Sequence, residues 1–94
     1  MNDIDLDDVV SVKDKKLIRD VLGLSSVAAF TRYTGGAVAG LLKFGNEFEK
    51  SLGHLLFAAD FKNTVRILNV WQKECVEYEM LWRIFQAKER AKKD

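Results

Sequence analysis

A chain of 94 residues with 48% hydrophobic content has room for one core, and at this size stability depends on good helix packing or on association. Fifteen Lys and Arg against fourteen Asp and Glu leave a formal charge of +1, which argues against a protein devoted to phosphate backbones. The single cysteine, Cys75, excludes an intramolecular disulfide, so a cytoplasmic setting is expected.

Residues 1–10 contain Asp3, Asp5, Asp7 and Asp8 and no base, a composition that predicts an acidic disordered tail followed by a single helical domain over 11–94. No charged-then-apolar leader is expected at this end. The longest uncharged runs, 21–31 and 33–42, fall well short of the ~20 residues that cross a bilayer, so no membrane association is expected.

A first helix is expected from Ser11, whose hydroxyl and the Asp14 carboxylate make an Asp-bearing capping box. Val12, Leu17, Ile18, Val21 and Leu22 give its apolar face, and Gly23 supplies a left-handed C-cap. Ser25 and Ser26 both suit an N-cap, and 27–33 then read as a short second helix closed by Gly35 and Gly36.

This junction of Leu22, Gly23, Leu24, Ser25 and Ser26 resembles the turn of a helix-turn-helix protein. Ile18, Leu22, Leu24 and Ala29 fit the apolar or small positions of that pattern, while Arg19 and Arg32 stand where it has a small and an apolar residue. The resemblance implies a DNA-binding transcriptional regulator with Ser26, Thr31 and Arg32 on or beside the groove-facing side. That face, with Val27, Ala28 and Thr31, is poor in side chains that read base edges.

An amphipathic third helix is predicted over about 37–59, with Leu41, Phe44, Phe48, Leu52, Leu55 and Leu56 on one face. Gly36, Gly40, Gly45 and Gly53 lie in or beside it, although an interior glycine costs about 0.8 to 1.0 kcal/mol relative to alanine. The physical reason read for them is close approach under the large rings of the next helix.

Asp60 is a good N-cap for the last and longest element, predicted over about 60–92. There Phe61, Leu68, Trp71, Cys75, Tyr78, Trp82 and Phe85 fall at alternating steps of three and four, interrupted by Thr64, which makes an aromatic seam. Val65, Ile67, Val70, Val76, Met80, Leu81 and Ile84 add apolar surface well beyond that stripe. One facing helix cannot cover all of it.

Chemistry is sparse. His54 is the single histidine and has no second ligand at the next helical turn, and Cys75 on the seam reads as a buried thiol. No catalytic, cofactor-binding or metal-ligating residues are assigned, and an enzyme is not expected.

The fold expected is an all-α bundle of three or four helices built on the long C-terminal helix (about 60–92), packed antiparallel to the helix at about 37–59. That helix would be roughly 50 Å long and its partner only about 35 Å, which leaves Tyr78, Leu81, Trp82 and Phe85 short of a lid and predicts a homodimer. The expected function is that of a small non-enzymatic protein-interaction module, an adaptor or inhibitor of the size common among phage and mobile-element accessory proteins. Its protein partner would meet Tyr78, Leu81, Trp82 and Phe85, with Lys88 and Arg90 at a basic end. Nucleic acid is the secondary expectation.

Overall fold

The computed structural model describes Lys16, Ile18, Arg19, residues 22–24 and residues 26–93, the side chain of Lys93 aside. The acidic tail and the helix start expected at Ser11 lie outside the described residues. Among those described, the protein is all-α, with α1 (Val27–Phe44), α2 (Glu47–Ala58), α3 (Phe61–Val70) and α4 (Gln72–Lys93). The described residues divide into two compact units, those up to Tyr33 and those from Thr34 on.

In the first unit Gly23 takes a positive φ of 69°, the region where only a residue without Cβ is unstrained. Its N–H donates to the Arg19 carbonyl at 3.1 Å and the Leu24 N–H to that of Ile18 at 3.0 Å, closing the turn expected there. Ser26 then caps α1, because its Oγ accepts from the Ala29 N–H at 3.1 Å. The short helix expected to end at Gly35 and Gly36 instead continues to Phe44. Two glycines lower helix propensity without ending a helix whose neighbours are well packed.

In the second unit the core is made by Ala37, Val38 and Leu41 of α1, Leu52 and Leu56 of α2, Val65 and Leu68 of α3, and Cys75 of α4, all buried. The segment expected as one helix over 37–59 is two helices, parted at Gly45 and Asn46. A capping box causes the restart: Asn46 Oδ1 accepts from the Glu49 N–H at 2.9 Å, while Glu49 Oε1 accepts from the Asn46 N–H at 2.8 Å. One consequence is that Phe44, Phe48 and Leu55, expected on the buried face, are exposed, whereas Leu41, Leu52 and Leu56 are not.

Ala58 ends α2, and only Ala59 and Asp60 separate it from α3. Asp60 caps α3 as expected, its carboxylate accepting from the Asn63 N–H at 2.8 Å. The long C-terminal segment bends at Trp71, where φ is −111° and ψ is 36°. Its helical bonding survives on both sides, since the Trp71 N–H donates to the Ile67 carbonyl at 2.8 Å and the Cys75 N–H to that of Trp71 at 3.0 Å. The bend coincides with an edge contact between the Trp71 and Phe48 rings, centroids 5.1 Å apart.

Candidate functional site

The seam side of α4 is held by the part of α1 within the same unit. A Cβ placed on Gly40 would lie 2.7 Å from the Tyr78 carbonyl carbon and closer still to its oxygen, so only glycine lets these two backbones touch. At Gly36 the corresponding position is 3.3 Å from Glu79 Cγ and 3.4 Å from Trp82 Cδ1. Two of the glycines singled out in the sequence therefore serve close approach. Glu79 is buried beside Gly36, and the Arg83 guanidinium reaches its carboxylate at 2.8 Å. A carboxylate in that position is tolerable because the cation stays paired with it.

Tyr78 donates its hydroxyl proton to Glu49 Oε1 at 2.6 Å, linking α4 to α2. That bond holds the Glu49 carboxyl below its usual range, assisted by the Asn46 backbone N–H. The same bond pushes the Tyr78 phenol up to about 12. Further along, Trp82 stacks on Phe85 with centroids 5.5 Å apart, and Phe85 meets Phe44 edge-on at 5.8 Å. Lys43 Nζ lies 4.4 Å from the Phe85 ring centre, a cation–π contact.

Residues 36–44 of α1 thus occupy positions beside Tyr78, Trp82 and Phe85 that sequence length arguments leave without a lid. Cover is partial. A concavity of about 350 Å³ remains, lined by Trp82, Phe85, Gln86, Glu89 and Arg90. Lys88 and Arg90 are exposed at this end, and Glu89 is paired with Lys92 at 3.3 Å. Three of the six residues expected to meet a partner, Trp82, Phe85 and Arg90, therefore share one concave surface. Leu81 is exposed on another side of the helix, and Tyr78 is committed to Glu49.

A second apolar strip is open to solvent. Val76, Met80 and Ile84, one turn apart on the side of α4 away from Cys75 and Glu79, are exposed at 36%, 46% and 45%, and Leu81 beside them at 38%. Val70 of α3 and Phe57 of α2 are more exposed still. Sequence periodicity marks these residues as surplus without saying which way they face.

The residues implied by the helix-turn-helix resemblance are differently placed. Ser26 spends its hydroxyl on the α1 cap, and Thr31 and Arg32 are exposed on the first half of α1. Cys75 is buried, and burial pushes its thiol up to about 11, assisted by Glu74, which makes it a poor nucleophile at neutral pH. His54 is exposed on α2, and among the described residues no three His, Cys, Asp or Glu side chains are grouped so as to hold a metal ion. No helix among those residues is long and apolar enough to cross a membrane. No family model, curated protein or solved structure matches the chain.

Proposed function

We propose that the chain is a small non-enzymatic interaction module, an adaptor or inhibitor that acts by occupying the surface of a protein partner in the cytoplasm. Its contact centre is the Trp82 and Phe85 surface, with Tyr78 and Leu81 on neighbouring sides and Lys88 and Arg90 at the basic end. The observation that carries this reading is the concavity of about 350 Å³ walled by two stacked aromatic rings and edged by Arg90. The hollow is open to solvent and lined from a single helix, which suits a shallow apolar contact, and tryptophan and arginine are the side chains that most often dominate interface energies. A phage or mobile-element accessory role suits the chain length, and homodimerisation is compatible with this reading without being required by it.

A helix-turn-helix regulator is the second reading, motivated by the left-handed turn at Gly23 followed by exposed Thr31 and Arg32. Salt separates the two. DNA binding through several cations weakens steeply as salt rises, whereas an apolar interface anchored by aromatics changes little. Tagged protein purified from its native host should carry a stoichiometric protein that survives high salt, is lost with Arg90→Glu and is kept with Arg32→Ala. A gel shift on native-host DNA at about 150 mM salt that yields a sequence-specific complex abolished by Arg32→Ala would overturn the adaptor reading.

A further inference from the structure

The exposed strip on α4 has a repeat of its own. Lys73, Met80 and Ala87 recur every seven residues, as do Glu77, Ile84 and Ala91, and together they form a narrow seam on the solvent side. Glu74, Leu81 and Lys88 recur at the same interval along one flank, acidic at one end, apolar in the middle and basic at the other. On the opposite flank lie Val76, Arg83 and Arg90.

We infer that this strip is a self-association face on which a second copy of the chain seats its own α4 antiparallel, with the two-fold axis near Leu81 and Trp82. In that register Met80 of each copy meets Ile84 of the other, and Leu81 meets its own counterpart. Glu74 meets Lys88 twice by symmetry, because both lie seven residues from Leu81. Arg83 would face its own copy across the axis, but its charge is already held by Glu79 at 2.8 Å within each chain. A parallel pair is disfavoured, since it would set Glu77 over Glu77 and bring Arg83 beside Lys88. Order of charge along the flank therefore selects both the occupant and its direction.

This face shares Arg90 with the edge of the concavity but does not include the Trp82 and Phe85 rings, so dimerisation leaves those rings open on each copy and makes the assembly bivalent toward a partner. The inference does not depend on the partner reading, because it is tested on the purified chain alone. Sedimentation equilibrium of the wild type should approach twice 10.7 kDa as concentration rises to high micromolar. Met80→Glu and Ile84→Glu should each return the single-chain mass while keeping the wild-type helical circular dichroism and melting temperature. Lys88→Glu should weaken the dimer, and adding Glu74→Lys to it should restore association to near the wild-type level.

A wild type that stays at 10.7 kDa throughout overturns the inference. So does a dimer untouched by Met80→Glu, or one that the paired charge reversal fails to rescue. A monomeric chain that still captures its partner through the Trp82 surface would sink this inference alone, whereas a dimer that captures nothing would sink only the adaptor reading.

Discussion

Two alanine substitutions in the same helix should move stability in opposite directions. Gly35 and Gly40 both lie inside α1, and alanine at either gains about 0.8 to 1.0 kcal/mol of helix propensity. At Gly35 nothing lies within 4 Å of the new Cβ, so Gly35→Ala should keep that gain. At Gly40 the new methyl would lie 2.7 Å from the Tyr78 carbonyl carbon, and a backbone group cannot rotate away as a side chain tip can. The helices must separate, which loosens the neighbouring contacts of Gly36 with Glu79 and Trp82. Overpacking of this kind costs typically 1 to 3 kcal/mol. Net destabilisation by Gly40→Ala of up to about 2 kcal/mol follows, and with it a loss of roughly 4 to 8 °C in melting temperature for each kcal/mol. Urea and thermal unfolding followed by far-UV circular dichroism, on both variants and the wild type, measure the split. Equal stabilisation by the two would refute the close crossing of α1 and α4.

Three further outcomes test the same unit. The Tyr78 phenol is raised from 10.0 to about 12, so its contribution is complete below about pH 10 and is lost as pH climbs toward 12. Glu49 is lowered from 4.5, so its contribution is complete above that value and is lost as pH falls through the lowered folded pKa. Tyr78→Phe should flatten the alkaline limb and shrink the acid one, and identical urea midpoints for both proteins across that range would contradict the Tyr78–Glu49 bond. Leu68→Ala, at a fully buried site, should cost about 2 to 5 kcal/mol, while Val70→Ala, at a site 71% exposed, should stay within about 0.5 kcal/mol; the reverse order would mean that α3 presents another face. Cys75 should react with a disulfide reagent only slowly in native buffer and fully in urea, and rapid native labelling would show that the seam opens.

Much of the fold is legible in the sequence because its signals are local. Gly23 and Asp60 announce a turn and a cap through backbone chemistry that acts within a few residues, and both serve those roles. The same kind of signal was present at Asn46 and Glu49, an N-cap residue followed three positions later by glutamate, yet the apolar period running through 44–56 outweighs it on paper. Trp71 is different in kind. No proline or glycine marks the bend, and nothing local distinguishes that tryptophan from the next; its departure accompanies a ring contact with Phe48, a residue far away in sequence.

The candidate site is less legible for a related reason. A period of three and four identifies which residues share a stripe, but α4 carries two stripes and periodicity cannot say which of them the chain keeps for itself. The deciding features are glycines on another helix: Gly40 admits the Tyr78 backbone and Gly36 the Glu79 and Trp82 side chains, whereas Met80 and Ile84 are exposed. The aromatic side is thereby largely spent on holding α1 and α2, with its Trp82 and Phe85 end left concave. Trp82 and Phe85 line the concavity, whereas Leu81 is exposed outside it and Tyr78 is bonded to Glu49. Self-association should depend on Leu81 with Met80 and Ile84, and partner capture on Trp82 and Phe85 with Arg90.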